Sequence, residues 1–287
     1  MRAKKSYGQH FLTNEDIAQQ IADALTLDDG PLVPNSLRDR KVDGEPIKVI
    51  EIGPGKGFLT KYLLDKNIDL KVVEADQDMV DFLHLNYVQL HGRVIAEDFL
   101  KLDLKSIFPN NQQPATSLTG AKSRTDRLEK QQFSIIGNFP YNISSQIVFK
   151  MIEHREFIPE LVGMFQKEMA KRIIASPGGK DYGVISVLTQ AHYEGEYLFS
   201  VENIHFDPPP KVQSGVIRLR RKAGSLGCDE KLFRRIVKQV FSQRRKMLRN
   251  TLKPFFDGEM LMNDPYFTKR PEVLSVEEFV ELANKAE

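Results

Sequence analysis

The chain has 287 residues, 41% hydrophobic and 28% charged, which is enough to bury a sizeable core in one large and one small domain. A single cysteine, Cys228, excludes an internal disulfide and suits a reducing cytoplasm. No apolar stretch approaches the roughly 20 residues of a membrane span, and the N-terminal residues lack the apolar centre of a secretory signal, so we expect a cytoplasmic protein.

The net charge is only +2, but it is unevenly distributed. Residues 218–253 contain thirteen Lys or Arg and two Asp or Glu, a net charge of +11, which leaves about −9 on the other 251 residues. Such asymmetry favours a polyanion bound to one part of the molecule. The alternative is a basic face that is only solvated.

The first predicted element is a helix near the N terminus. In "TNEDIAQQIADAL", Thr13 or Asn14 is a suitable helix cap, and Ile17, Ile21 and Leu25 recur at helical spacing. Residues 27–46 are rich in turn-forming and polar residues, and we interpret them as a surface loop.

From residue 48 onward, short runs rich in Val, Ile and Phe alternate with amphipathic segments. This order predicts an α/β fold, a Rossmann-like domain whose mainly parallel sheet is buried on both faces. Residues 109–132 contain almost no large apolar side chains and predict a flexible insertion between two strands. The predicted strands are 48–53, 70–75, 92–97, 133–138 and 160–165.

The turn after the first predicted strand carries a glycine motif, "EIGPGKGF". Gly53, Gly55 and Gly57 follow a strand and open a helix, where missing side chains let a ligand approach the backbone. The dinucleotide fingerprint requires its third glycine at the position of Phe58. The spacing therefore favours a nucleoside ligand without a pyrophosphate, such as S-adenosyl-L-methionine.

An acidic residue lies at the end of each of the next two predicted strands. Glu74 lies 21 residues after Gly53, where a carboxylate can accept both hydroxyls of a ribose. Asp98 ends the third strand and can accept a hydrogen bond from an exocyclic amino group. Because the carboxyl ends of parallel strands meet at one edge of a sheet, the glycine turn and the two acids predict a single nucleoside site.

The stretch "IIGNFPYNISSQ" delivers a polar and aromatic group to the same edge. If the Asn138 side-chain oxygen and the Pro140 carbonyl both accept hydrogens of a nucleobase amine, its lone pair is aimed at a sulfonium methyl without a general base. Tyr141 offers a flat face on which an extruded base can stack. We therefore expect Asn138, Pro140 and Tyr141 to form the catalytic centre.

Later segments add candidate contacts to a base and to phosphates. Phe206 precedes a rigid polyproline stretch suited to holding its ring against the target base, although a simple core position is the alternative. Lys167, Lys171 and Arg172 open a helix near the predicted edge and are candidate phosphate contacts. The other histidines show no metal-ligand spacing, so we expect no metal site.

The strand pattern stops after residue 222, which predicts a domain at 1–222 and a helical, basic domain at 223–287. Between residues 231 and 252 apolar side chains fall roughly on one face of a helix. Basic side chains fall on another face, and their density without compensating acids indicates contact with a phosphate backbone. The candidate RNA contacts there are Arg234, Lys238, Arg245 and Arg249.

Six motifs, taken in order, give the chain a specific family resemblance. They are "KKSYGQHFL", "EIGPGKG", "GNFPYNIS", "FQKEMAKRI", "FDPPPKVQSGVIRL" and "FSQRRKMLRNTL". The chain resembles the bacterial small-subunit ribosomal RNA adenine dimethyltransferases and their eukaryotic dimethyladenosine relatives. The resemblance implies transfer of methyl groups from S-adenosyl-L-methionine to N6 of two adjacent adenines near the 3′ end of 16S rRNA, by a monomer acting on the 30S subunit or its precursor. It implies cofactor contacts from His10, Leu12, Gly53, Gly55, Glu74, Ala75, Asp98, Phe99 and Asn138.

Two residues depart from the family pattern. His10 stands where asparagine is frequent, and an imidazole can replace the amide's hydrogen bond. Phe139 stands where leucine or proline is usual, and we expect it to be tolerated because its backbone carries the function.

Two other functions are compatible with parts of this pattern. One is the 23S rRNA dimethyltransferase of macrolide resistance, against which the long C-terminal motifs argue. The other is a ribosome-assembly factor without catalysis, against which the intact Glu74, Asp98 and Asn138 argue.

Overall fold

A computed structural model describes residues 8–26, 46–108 and 132–286 of the 287-residue chain. The predicted loop at 27–46 and the predicted insertion at 109–132 lie outside these residues, except for the last residue of each. No helix in the described ranges is long and apolar enough to cross a membrane.

The described residues form nine strands and ten α-helices. The strands are β1 Phe11–Leu12, β2 Ile47–Ile52, β3 Ile68–Val73, β4 Val94–Ile95, β5 Ser134–Asn138, β6 Glu160–Gln166, β7 Tyr193–Val201, β8 Phe206–Asp207 and β9 Ser214–Arg221. The helices are α1 Glu15–Asp23, α2 Thr60–Leu64, α3 Gln77–Asn86, α4 Ser144–Glu153, α5 Lys167–Ile173, α6 Val184–Gln190, α7 Glu230–Ser242, α8 Leu248–Thr251, α9 Gly258–Asn263 and α10 Val276–Lys285. Short 3-10 helices occupy 88–90, 104–106, 203–205, 265–268 and 271–273.

Seven strands form one sheet in the order β4-β3-β2-β5-β6-β9-β7. The five strands from β4 to β6 are parallel, and β9 and β7 continue the sheet antiparallel. The central strands β5 and β6 are buried almost throughout, as expected for a sheet covered on both faces. The α/β fold with a mainly parallel sheet is therefore confirmed, and all five predicted strands are present.

Strand β4 is shorter than predicted. The pattern indicated residues 92–97, whereas only Val94 and Ile95 pair, with Val72 and Val73 of β3. The strand lies at the sheet edge, and Gly92 before it adopts a positive φ of 73°, which is outside strand geometry.

The N-terminal helix is confirmed as α1. Asn14 caps it, since its side-chain oxygen accepts a hydrogen bond from Ile17 N at 3.1 Å. Ala18, Ile21 and Ala22 form its buried face.

The basic C-terminal segment is not one continuous helix. Helix α7 ends at Ser242, where Gln243 leaves helical geometry with φ −131° and ψ 53°, and α8 begins only at Leu248. Leu248 N donates to the carbonyl of Lys269 at 2.9 Å, so a tertiary contact fixes the start of α8. The expectation of a single amphipathic helix over 231–252 is wrong, because a periodic sequence pattern does not reveal this break.

The C-terminal helices pack on the sheet region. Phe233, Ile236 and Val237 of α7 share a continuous hydrophobic core with Ile185 of α6 and Tyr193 of β7. The chain between β9 and α7 contains Gly224 and Gly227, both with positive φ. The division into domains near residue 223 falls in this connection and stays a prediction.

Candidate active site

A cavity of about 470 Å³ opens at the carboxyl ends of β2, β3 and β5. Its wall includes the glycine turn after β2, Glu74 after β3, the loop at Asp98 after β4, and Asn138 at the end of β5. His10, Leu12, Ala75, Phe99, Pro140 and Tyr141 also line it. The structure thus brings together every predicted cofactor residue.

The glycine turn needs its glycines for conformation and for space. Gly53 and Gly55 have φ values of +67° and +55°, which side chains rarely adopt. A Cβ on Gly55 would also lie 2.9 Å from Cε1 of Phe11, whose ring covers the turn. The backbone is therefore held close to the cavity, with Gly53 N bonded to the carbonyl of Val73 at 2.9 Å.

Glu74 is held in a fixed orientation. Its Oε2 accepts a hydrogen bond from Gly55 N at 3.1 Å, and its Oε1 accepts one from Asp76 N at 2.9 Å. Burial raises the pKa of this carboxyl, and the two backbone donors partly oppose that rise. A carboxylate oxygen has more than one acceptor site, so both oxygens keep capacity for a ligand hydroxyl.

A second buried carboxyl, Glu51, lies on the cavity wall beside Glu74. Thr60 Oγ1 donates to Glu51 Oε2 at 2.7 Å, and burial raises the pKa of Glu51 to about 8, with a smaller contribution from the Glu74 charge. Glu51 is not among the predicted site residues, although an acid inside the apolar run "KVIEIG" is a visible signal. Glu74, Glu97 and Asp98 on the cavity wall suit a cationic ligand, whereas Glu51, at this pKa, holds its proton at neutral pH.

The N-terminal residues 8–13 form part of the cavity wall. Strand β1 pairs antiparallel with β8, Phe11 opposite Asp207 and Leu12 opposite Phe206, and Thr13 N donates to the carbonyl of His205 at 2.9 Å. This pairing joins segments about 195 residues apart and places His10 beside Asn138.

His10 links the polyproline loop to the catalytic candidates. Its Nδ1 lies 2.7 Å from the carbonyl oxygen of Pro208. A carbonyl only accepts hydrogen bonds, so Nδ1 carries the hydrogen. The imidazole also stacks on Tyr141, with ring centroids 5.4 Å apart and planes inclined by 28°.

The side chain of Asn138 is oriented by the same segment. Its Nδ2 donates to the carbonyl oxygen of His10 at 2.9 Å. Because this bond uses the amide nitrogen, Oδ1 is the acceptor left for the cavity. This leaves the side-chain oxygen as the acceptor, as the sequence predicted. The His10 carbonyl that orients the amide lies 128 residues away and has no sequence signature.

Tyr141 and Phe139 are fixed by different neighbours. The Tyr141 hydroxyl lies 2.6 Å from Ser214 Oγ, and burial raises the pKa of Tyr141, so the phenol stays neutral at physiological pH. Phe139 points away into the core between Gly137 and Gly163. A Cβ on Gly163 would lie 2.1 Å from Phe139 Cε2, which explains how the larger residue is accommodated.

Phe206 is not placed as the catalytic prediction requires. Its side chain is 4% exposed and lies in a hydrophobic core with Leu12, Ile21 and Val216, and the cavity wall includes Asp207 instead. This arrangement matches the alternative interpretation, in which Phe206 is a core residue. The pairing of β8 with β1, which the sequence pattern does not predict, places the Phe206 ring in the core.

The candidate phosphate contacts occupy two separate places. Lys167 and Lys171 share a shallow groove with Tyr197 and Ser200, and Arg172 is exposed on the same helix. In the C-terminal part Lys238 and Arg245 are exposed, and Arg249 is half-buried. Arg234 forms an ion pair, with its Nη1 3.6 Å from Oε1 of Glu153. Basic residues of the +11 segment also pair with acids elsewhere, among them Arg218 with Glu196 and Arg244 with Glu272.

No group of three His, Cys, Asp or Glu side chains within the described ranges is arranged to hold a metal ion.

Known proteins resemble this chain over nearly its whole length. The sequence pattern of the family described as "Ribosomal RNA adenine dimethylase" matches residues 1–283. Proteins named "Ribosomal RNA small subunit methyltransferase A" from Flavobacterium johnsoniae and Parabacteroides distasonis are each 48% identical, covering 100% and 98% of this chain and 97% and 93% of their own lengths.

Two solved structures share the fold. A dimethyladenosine transferase from Plasmodium falciparum superimposes with a TM-score of 0.68 at 23% identity, covering 95% of this chain and 96% of its own. The 23S rRNA methyltransferase ErmE superimposes with a TM-score of 0.63 at 22% identity, covering 96% of this chain and 98% of its own.

Proposed function

The chain belongs to the ribosomal RNA adenine dimethylase family, and from that premise we propose that the cavity between Glu74 and Asn138 is its active site. The protein is an rRNA adenine N6,N6-dimethyltransferase of the S-adenosylmethionine-dependent class, acting on 16S rRNA. Its target is two adjacent adenines near the 3′ end. The observation that carries the assignment of the site is the Asn138 amide, whose nitrogen is bonded to the His10 carbonyl so that Oδ1 serves the cavity.

The residues on the cavity wall fit S-adenosyl-L-methionine. Glu74, oriented by two backbone donors, accepts hydrogen bonds from the ribose hydroxyls. Asp98 accepts a hydrogen bond from the exocyclic amino group of the adenine. The glycine turn lets the ligand approach the backbone closely. The acidic groups of the cavity attract the positive charges of the ligand. When bound, this cofactor supplies an electrophilic methyl group on a cationic sulfur.

The protein groups position the nucleophile. Asn138 Oδ1 and the Pro140 carbonyl accept the two hydrogens of the target amine and thereby aim its lone pair at the methyl group. The Pro140 oxygen already accepts from Ile143 N at 3.2 Å, and its second lone pair is available. With the methyl donor bound, the target amine would gain positive charge during the transfer, and the two carbonyl dipoles would stabilise that charge. The surplus proton then leaves to water.

The target base stacks on Tyr141. His10 occupies one face of that ring, so the base takes the opposite face. The hydrogen bond to Ser214 and the stack on His10 hold the phenol ring in place before the base arrives. In this scheme Phe206 supports β8 and the polyproline loop from the core.

The rRNA contacts in this scheme come from both basic regions, because neither is fully neutralised. Lys167, Lys171 and Arg172 lie next to the strand that follows the catalytic turn. Arg234, Lys238, Arg245 and Arg249 extend the contact across α7, the turn and α8. We propose a monomer that acts in the cytoplasm on the 30S subunit or its precursor.

Methyl transfer to unmethylated 30S subunits tests the function. We expect radiolabel from S-adenosyl-L-methionine at N6 of two adjacent adenines near the 3′ end of 16S rRNA, mapped by mass spectrometry of nuclease fragments. Asn138→Ala should lower the single-turnover rate at least about 100-fold, the scale for losing one preorganised polar group. Unmethylated 50S subunits serve as a parallel substrate, and label on these alone would support the 23S type of enzyme. Binding to 30S subunits without label would support a non-catalytic assembly factor.

A further inference from the structure

The loop that carries Asp98 is anchored by a lysine from a distant helix. Nζ of Lys150, on α4, lies 2.7 Å from the carbonyl oxygen of Phe99, 3.0 Å from that of Leu100 and 2.6 Å from that of Leu102. An ammonium group has three hydrogens, so each hydrogen has one carbonyl acceptor. Lys150 belongs to none of the motifs singled out in the sequence.

The anchored loop is a tight turn. Asp98 Oδ1 accepts from Leu100 N at 2.9 Å, and the Asp98 carbonyl accepts from Lys101 N at 2.9 Å. Carbonyl oxygens at the end of such a turn carry partial negative charge, which a cation stabilises. With Oδ1 engaged inside the turn, Oδ2 of Asp98 has no hydrogen-bond partner within the described ranges, and the residue lines the cavity.

The positive charge of Lys150 matches its surroundings. Its Nζ also lies 5.1 Å from the centre of the Phe99 ring, which is buried beneath it. Burial lowers the pKa of Lys150, whereas Asp98 and nearby acids raise it. A neutral side chain of similar length would leave three carbonyl groups without a donor in a partly buried place.

Lys150 also connects the two ends of the active site. Helix α4 starts at Ser144, whose Oγ donates to the Tyr141 carbonyl at 3.1 Å, directly after the catalytic turn. One rigid helix therefore joins the turn at Asn138–Tyr141 to the turn at Asp98.

We infer that Lys150 is a positioning residue for recognition of the cofactor's adenine. Its ammonium holds the turn at 98–102 so that Asp98 Oδ2 faces the exocyclic amino group. This inference rests on the proposed function, in which the cavity binds S-adenosyl-L-methionine.

Two nucleoside ligands separate positioning from general stability. S-adenosylhomocysteine carries the amino group, and S-inosylhomocysteine carries a carbonyl oxygen in its place. The wild-type protein should prefer the adenosine compound at least about tenfold in calorimetry, the scale of one charge-assisted hydrogen bond. Lys150→Met should reduce that preference to less than about threefold, mainly by weakening S-adenosylhomocysteine.

The same titrations of other variants show whether the change is specific. Gln146→Met places a methionine at an exposed position one turn earlier on α4 and should keep the full preference. Glu74→Gln should weaken both ligands alike, because both contain the ribose, and leave their ratio intact. Asp98→Ala should abolish the preference, and adding Lys150→Met to it should change the ratio no further. If Lys150→Met does not fold, Lys150→Gln, which keeps two donors without the charge, takes its place and should show the same loss in part.

The outcomes distinguish the two hypotheses. If Lys150→Met weakens both ligands by the same factor, the lysine is only structural and the inference is overturned. If the wild type binds both ligands equally, Asp98 does not read the amino group, and the inference is overturned as well. If the wild type binds neither ligand, the cofactor assignment itself is wrong.

Discussion

The contacts of His10 allow a sharp comparison between two substitutions. An asparagine at position 10 places its Nδ2 three bonds from Cα, as the imidazole places Nδ1, so His10→Asn can still donate to the Pro208 carbonyl. The amide nitrogen of a glutamine lies one bond further out, so His10→Gln cannot do so without moving the chain. We therefore expect asparagine to preserve more of the methyl-transfer rate than glutamine.

The expected difference follows from the two interactions of the ring. The hydrogen bond from Nδ1 to Pro208, at 2.7 Å, contributes about 1 kcal/mol net for a neutral pair. The stack on Tyr141, with centroids 5.4 Å apart, adds about 0.5–1.5 kcal/mol. His10→Asn loses only the stack, whereas His10→Gln loses both, and a difference of about 1 kcal/mol at the transition state is about fivefold in rate.

Single-turnover methyl transfer to unmethylated 30S subunits at saturating cofactor measures this difference. Calorimetry with S-adenosylhomocysteine, run in parallel, separates an effect on Asn138 from an effect on cofactor affinity. Equal rates for the two variants would refute the role of the Pro208 bond. A loss confined to affinity would show that His10 serves the cofactor and does not orient Asn138.

Three further predictions concern charges. Glu74→Ala should weaken S-adenosyl-L-methionine binding by about 1.5–3 kcal/mol, as expected for charge-assisted bonds to a ribose, and unchanged affinity of a folded variant in calorimetry would contradict the assignment. Reversing Arg245 and Arg249 to Glu should flatten the dependence of log 30S affinity on log salt by about 1–2 units while leaving S-adenosylhomocysteine affinity unchanged; superimposable salt series would place the RNA elsewhere. Because burial raises the pKa of Glu51 from 4.5 to about 8, the folded state holds a proton that the unfolded chain has released, so stability of the ligand-free protein in urea should fall as pH rises between these values. Glu51→Gln should lessen that fall, and an unchanged pH profile would show that Glu51 ionises normally.

The sequence predicted the parts of the site that depend on local order. Hydrophobic runs located the strands; Glu74 follows β3 directly, Asp98 lies in the loop after β4, and Asn138 is the last residue of β5. Because parallel strands present their carboxyl ends at one edge, knowing the strands was enough to bring these three side chains together.

The remaining features depend on contacts between distant segments. The pairing of β1 with β8 buries Phe206 and sets the His10 carbonyl against Asn138, yet each strand has only two residues and no periodic pattern. Lys150 reaches its three carbonyls across about 50 residues, and Leu248 at the start of α8 is hydrogen-bonded to the carbonyl of Lys269. Local propensity has no access to such partners.

The packing of Phe139 determines the order in which residues 139 and 163 can be substituted during evolution. A methyl group on Gly163 would collide with the Phe139 ring at 2.1 Å and with Phe165 at 2.8 Å, whereas one on Gly137 would collide with the backbone oxygen of Ile52 at 2.6 Å. Replacing Phe139 with leucine therefore relieves the closest contact at Gly163 but leaves Gly137 blocked by main chain that cannot be trimmed. A lineage with this phenylalanine has to lose the ring before it can gain a side chain at 163, because the reverse order passes through a protein in which the new side chain and the Phe139 ring overlap in the core.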